Sequence, residues 1–471
     1  MSEQGVTGAA ATPDLNDTTD PVGRLDRLPV GPWHRRLTAI VGIGAFFDLY
    51  EVFLGGVLAA ALAESWQLSG TEKSWLIASG FLGMFVGANV LSVLADRFGR
   101  RKMFLVNLGL YSLFSLASAF AQDATQLSVL RFLAGLGLGA ELVLVDTYLA
   151  EFLPRKVRGR YIAWAYTLGF VGVPVAALLG ARLVAKHELF GVDGWRWLLV
   201  GGALGAAFIQ LLRTRLPESP RWLVSRGRAA EADAVVRGIE SQAPAAIEQR
   251  GPGQSPATAT PVQRPETADA QKVPLSQMFK PPYARRTVMW WIFQILQTVG
   301  YYGFGSLAPV VLQAKGHTVT ESLTYAALSY LGYPVGSALS VPLIDRIERR
   351  TLIILSALGI AAFGLVFGFA EASWLIVGAG FLLTVCSNVF SNAFHVYQTE
   401  IFPTGMRSSA IGIAYSLSRL TSVVLPFIAI DVLEDLGANA VFIGSGVLML
   451  VLCLNVRLLG PRTTGRSLES I

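Results

Sequence analysis

Charge is what this chain has least of. Asp, Glu, Lys and Arg make up 15% of its 471 residues, where a soluble chain of this length carries about 25%. Cysteine is almost absent. Cys386 and Cys453 are the two, and both sit inside apolar runs, where they read as small packed hydrophobes rather than a disulfide or metal site. Only four histidines occur, and there is no metal-ligand cluster, nucleophile motif or phosphate-binding loop. Those absences exclude an enzyme, and no cofactor or metal is expected. The basic residues fall in small separate clusters rather than one continuous patch, which argues against nucleic acid.

What is present is apolar and long. Hydrophobic residues make up 53% of the chain, and runs near the 20 residues that cross a bilayer recur along it. Twelve such runs lie at roughly 36–60, 72–95, 103–121, 126–150, 159–182, 195–213, 286–312, 320–343, 351–370, 373–399, 408–432 and 437–458. Barrel strands would alternate over about ten residues, so these are helices. The 48 glycines fit helices that pack closely in lipid. Basic residues crowd the connections after runs 2, 4 and 8, while 121–126, 371–373 and 431–440 have neither Lys nor Arg. The positive-inside rule therefore expects both termini in the cytoplasm and the chain in the inner, or plasma, membrane.

The chain also repeats itself. Asp96-Arg97 and Arg100-Arg101 recur as Asp345-Arg346 and Arg349-Arg350, and Tyr148, Glu151, Pro154 and Arg158 recur as Tyr397, Glu400, Pro403 and Arg407, always 249 residues apart. One offset for two motifs means a duplicated unit. The expected organisation is a disordered tail at 1–30, a six-helix half at 31–213, a connector at 214–285, a second half at 286–458 and a tail at 459–471. Ser219 to about Gln242 has helical spacing, whereas 250–273 reads as linker.

Several of these residues resemble a known family. Asp96-Arg97-Phe98-Gly99-Arg100-Arg101-Lys102 is similar to the loop signature of the major facilitator superfamily. Arg131 with Gly135, Gly137 and Gly139, then Tyr148, Glu151, Pro154 and Arg158, resemble its sugar-porter branch, as do Pro217-Glu218-Ser219-Pro220-Arg221 and the tail from Gly465 to Glu469. The sugar-binding pattern of helix 7 is incomplete, since Leu296-Gln297 and Gly300-Tyr301-Tyr302 stand where paired Gln and an Asn are usual. Phe47-Asp48-Leu49-Tyr50-Glu51 resembles bacterial metabolite and aromatic-acid proton symporters instead. The resemblance implies the major facilitator fold, twelve transmembrane helices in two halves, and alternating access to a midplane site.

Ionisable residues inside a span are functional candidates by default. Asp48 and Glu51 lie one turn apart on helix 1, and Glu141 and Asp146 lie on helix 4, about 140° apart. None of these acids recurs in the second half; Asp48 maps onto Gln297. Asp48, Glu51, Arg131 and Glu141 are therefore the proton-coupling candidates. The resemblance makes Arg131 the partner of Asp48, and a fixed packing pair is the bland alternative. Glu141 is the better placed to face a cavity, and Asp146 the better placed to join Arg158 in the loop network.

In the second half Arg419 is a candidate for a substrate carboxylate, with snorkelling as the alternative. Gln294, Gln297 and Tyr301 share one face of helix 7, and Asn388, Asn392 and His395 share one face of helix 10. They line a wet cavity or bond between helices. Asp96 with Arg100, Glu151 with Arg158, and the copies Asp345 with Arg349 and Glu400 with Arg407 are candidate gating pairs. The expected function is secondary active transport by proton symport of an anionic metabolite, an aromatic or small carboxylate. A sugar or polyol symporter, an efflux antiporter and a transporter-like sensor remain open. The expected partners are a small-molecule substrate, protons and the lipid bilayer, and a single chain is expected to suffice.

Overall fold

The computed structural model describes residues 21–154, 157–184, 188–242, 275–281, 283–402 and 404–463. Helices dominate, and twelve of them are spans: α1 (Pro32–Leu62), α2 (Gly70–Phe98), α3 (Arg100–Ser118), α4 (Ala124–Phe152), α5 (Arg158–Phe170 and Gly172–Val184), α6 (Gly194–Arg213), α7 (Tyr283–Thr298, Val299–Gly303 and Phe304–Ala314), α8 (Val319–Tyr330 and Gly332–Arg346), α9 (Arg349–Phe369), α10 (Ser373–Glu400), α11 (Thr404–Leu436) and α12 (Ala438–Leu459). Eleven are long and apolar enough to cross a bilayer. The other, α3, has 19 residues but opens on Arg100, Arg101 and Lys102 and carries Asn107. The fold is all-α, with a two-residue hairpin at 188–193 as its sheet among the described residues.

Caps mark where spans begin. Asp123 accepts the Gln126 N–H at 2.8 Å before α4, and Glu348 accepts the Thr351 N–H at 2.8 Å before α9. Thr318 and Glu321 form a reciprocal capping box before α8. Within α7 the segment Val299–Gly303 is a π turn; its counterpart α1 is α-helical throughout.

The two ends of the bundle differ. At the end away from the basic loops, the halves are pressed together. The missing Cβ of Gly56 on α1 leaves room for the Ser306 carbonyl of α7. Gln313 donates to the Ala60 carbonyl at 2.8 Å, Ser74 to the Pro426 carbonyl at 3.3 Å, and Trp75 meets Phe427 edge-on. Toward the basic end, Asp146 and His395 are exposed although both lie well inside helices. The seam between the halves is sealed at one end; toward the other, Thr167 of α5 still bonds Ser337 of α8 at 3.0 Å, while Asp146 and His395 are left accessible.

One expectation changes at the basic end. Residues 21–27, within the tail expected to be disordered, form a short helix. Its Arg24 reaches Asp233, at 2.5 Å, and Glu240 on the connector helix Ala229–Glu240. Asp26 pairs with Arg221 at 2.9 Å. A basic-and-acidic heptad after Pro21 can pair with the connector, and that pairing orders it. The connector is helical at Pro220–Ser225 and Ala229–Glu240, and Glu218 accepts the N–H groups of Arg100 and Arg101 at 3.0 and 3.2 Å. The stretch 250–273 lies outside the described residues.

Candidate functional site

Three assemblies of polar side chains sit inside the bundle. The first joins α1, α2, α3 and α4. Arg131 donates to Glu51 at 3.1 Å and to the Leu76 carbonyl at 3.2 Å. Ser115 donates to the other Glu51 oxygen at 3.1 Å. Arg131 is 3% and Glu51 2% exposed. This corrects the expected Asp48–Arg131 pair. Helix α4 runs opposite to α1 and carries Arg131 near its start, so Arg131 is level with Glu51 rather than with Asp48 one turn below.

The second assembly joins α1, α4 and α6. Arg213, the last residue of α6, bonds to Glu141 and lies 4.5 Å over the Phe104 ring. It is also the cation that Asp48 faces. All three ionisable groups are buried. Neither Asp48 oxygen has a hydrogen-bond partner, nor do Glu141 Oε2, Arg213 Nε and Arg213 Nη2. Glu141 therefore faces Arg213 rather than an open cavity. Sequence reasoning missed Arg213, because an Arg at the end of an apolar run reads as a snorkelling anchor.

The third assembly lies between the halves. Arg419 on α11 donates to the Tyr302 hydroxyl at 3.1 Å and the Tyr415 hydroxyl at 3.0 Å. It stands over both rings, at 5.4 and 4.9 Å from their centroids. Arg419 is 3% exposed, and among the described residues no carboxylate lies within salt-bridge reach of it. Around it the rings form a cage from both halves. Tyr302 meets Phe81 at 5.3 Å, Phe53 at 6.4 Å and Tyr301 at 4.8 Å. Tyr333 stacks on Phe170 at 5.8 Å. His395 faces Arg419 from α10, and its Nδ1 pairs with the Ser391 carbonyl at 2.7 Å. Asp146 bonds to Tyr166 on the same seam instead of joining Arg158.

The amides expected around a cavity are engaged between helices. Gln297 donates to Gln294 at 3.1 Å and to Ser418 at 2.7 Å. Asn388 donates to the Tyr333 carbonyl at 2.5 Å and Asn392 to Ser340 at 2.6 Å. These bonds brace α7 against α11 and α10 against α8. A separate cleft of about 330 Å³ behind the π turn, lined by Val299, Phe304, Ile360, Leu425 and Phe442, includes none of the charged or phenolic groups.

The loop charges pair across helices. Arg100 bonds to Glu151 at 3.4 Å, and its copy Arg349 bonds to Glu400 at 3.4 Å. Glu151 is thus bonded to Arg100 rather than to the Arg158 expected within its own motif, because the start of α3 lies beside the end of α4. Arg158 donates to the Leu153 carbonyl at 3.2 Å. The side chains of Asp96, Asp345 and Arg407 lie outside the described ones.

Comparison with known proteins agrees with this architecture. The model of the family described as "Sugar (and other) transporter" matches residues 38–471. The Bacillus subtilis protein YyaJ is 33% identical over 94% of this chain and 96% of its own. The niacin transporter NiaP of Acinetobacter baylyi is 31% identical over 96% of this chain and 99% of its own. The partially occluded, inward-open xylose transporter XylE of Escherichia coli superposes with a TM-score of 0.73, at 20% identity, over 92% of this chain and 99% of that one.

Proposed function

The chain belongs to the sugar (and other) transporter family, a multi-pass membrane transporter and not an enzyme, and from that premise we propose that it carries a small aromatic carboxylate by proton symport. The observation that carries this reading is Arg419. A buried guanidinium with two phenols and no carboxylate partner among the described residues is suited to hold an anion. A substrate carboxylate would take the two hydrogen bonds that now go to Tyr302 and Tyr415, or add to them. The rings of Phe53, Phe81, Tyr301 and Tyr333 would flank a planar ring in the offset or edge-on geometries aromatic pairs prefer. A sugar would leave the charge of Arg419 uncompensated. The niacin transporter among the relatives moves a molecule of this class.

The acids of the first half supply the driving-ion side of the reading. Asp48, Glu51 and Glu141 are buried in spans, where an ionisable group marks an ion or proton path. By the positive-inside rule, the basic loops would put their end of the seam, both termini and the connector in the cytoplasm of an inner-membrane protein. The state described is then inward-facing, with Asp146 and His395 on the entrance wall. The loop pairs Arg100–Glu151 and Arg349–Glu400 would stiffen helix ends that move between states, and one chain contains a complete site.

The test is equilibrium binding to the purified transporter by calorimetry, using nicotinate, benzoate, cyclohexanecarboxylate and xylose. Nicotinate and benzoate should bind, with cyclohexanecarboxylate weaker and xylose silent. Xylose binding with no carboxylate binding would replace this reading by the sugar one.

A further inference from the structure

The first half holds two buried carboxylate–arginine assemblies, and they are not equivalent. Glu51 and Arg131 balance one negative charge against one positive. Both Glu51 oxygens are bonded, one to Arg131 at 3.1 Å and one to Ser115 at 3.1 Å. Asp48, Glu141 and Arg213 set two carboxyls against one guanidinium. Asp48 is 0%, and Glu141 and Arg213 are each 1%, exposed. A net negative charge at that depth, with unpartnered oxygens on both acids, is far costlier than a neutral set.

We infer that the transported proton resides on the Asp48–Glu141 pair in the state described, and that Arg213 is the movable counter-ion shared by the two acids. One proton completes a neutral set: one acid ionised against Arg213, the other carrying the proton. Among the described residues, the groups facing the set are few. They are Tyr111 of α3, whose hydroxyl donates to the Phe47 carbonyl at 3.3 Å, the Phe104 ring beneath the guanidinium, and α1 itself. Helix α5 meets α1 through Gly42 against Ala165 and Gly172 against Phe46, with no ionisable group at those contacts.

Room for the counter-ion is built into α1. A Cβ on Gly44 would overlap the Arg213 guanidinium, whose carbon lies 2.8 Å from that position. Gly44 stands one turn from Asp48, on the same face of α1. Arg213 bonds Glu141 through Nη1, leaving Nε and Nη2 without partners. A small rotation of the guanidinium over Gly44 would exchange Glu141 for Asp48. The acid it leaves takes the proton, and the acid it meets releases one. No bond other than O–H is made or broken.

This rests on the symport reading, but its test does not need transport. The infrared C=O stretch of a protonated carboxyl, identified by its shift in D2O, is measured on purified transporter at neutral pH. The wild type should show one buried protonated carboxyl. Asp48→Asn and Glu141→Gln should each abolish it, since the remaining acid then ionises against Arg213. Arg213→Gln should double it. The paired change Glu51→Gln with Arg131→Gln, which keeps that assembly neutral, should leave it intact. Either of the first two variants suffices if the other misfolds. A band absent from wild type, surviving both single changes, or lost in the Glu51/Arg131 double variant overturns the inference. Nicotinate uptake under a proton gradient is followed in parallel. Bands as expected without proton-driven uptake would sink the symport reading alone, and proton-driven uptake without the band would sink this assignment alone.

Discussion

The two halves share a frame and differ in what the frame encloses. At the basic end the likeness is close, with Arg100–Glu151 and Arg349–Glu400 both at 3.4 Å. Inside the spans it disappears. The first half buries Asp48, Glu51, Glu141, Arg131 and Arg213; at matching depth the second half buries Gln294, Gln297, Asn388 and a lone Arg419. Net charge tells the same story, with ion pairs facing one another in one half and amides bracing helices in the other. Duplication supplies the rocking geometry, and divergence divides the labour between a driving ion and a cargo.

The sharpest break of that comparison is Arg131→Met. It strands Glu51 in the apolar interior and should cost about 3–5 kcal/mol of stability, seen as a large fall in the thermal midpoint. Little change would mean that the first half tolerates an unpaired acid and that its pairs are not structural. Arg419→Gln should do the reverse. With no carboxylate partner to strand, stability should change little, while nicotinate binding by calorimetry should weaken about 100-fold, as for two charge-assisted hydrogen bonds. Unchanged affinity would move the cargo site elsewhere.

Gly56→Ala tests the seam between the halves. Its Cβ would press on the Ser306 carbonyl and disfavour the sealed end by about 1–3 kcal/mol. A cysteine placed at Trp75 should then react faster with an impermeant maleimide; an unchanged rate would show that the seal lies elsewhere. Arg100→Ala and Arg349→Ala should have the smallest effect, and an equal one, within about 1 kcal/mol. Each should slow uptake while leaving nicotinate affinity alone. Unequal slowing would show that the duplicated loops have also diverged.

The spans and the two-half plan were legible because lipid forces long apolar helices and because the repeat keeps one offset. The partnerships were not. Hydrophobic period reports which face a residue occupies, not how far neighbouring antiparallel helices slide past each other, so Arg131 was matched with Asp48 instead of Glu51. Arg213 was hidden by its place at the end of a run. Gln294 and Gln297 were rightly placed on one polar face, but a polar face is satisfied as well by Ser418 as by a ligand. Spacing chose Tyr301 on an α-helical period, whereas the Arg419 bond goes to Tyr302.

That last miss has a wider meaning. A π turn holds one residue more than an α turn needs, and each residue rotates a helix by about 100°. The segment Val299–Gly303 thus fits one residue more into its turn than a plain α-helix would, without breaking α7. It re-aims everything beyond it relative to α1, and so separates the ancestry of the two helices from their present orientation. Removing one residue there would return α7 to a plain α-helix and rotate either Tyr302 or Ser306 out of place. Sequence length at this one turn, rather than the identity of any side chain, is then a heritable switch for what the second half can hold.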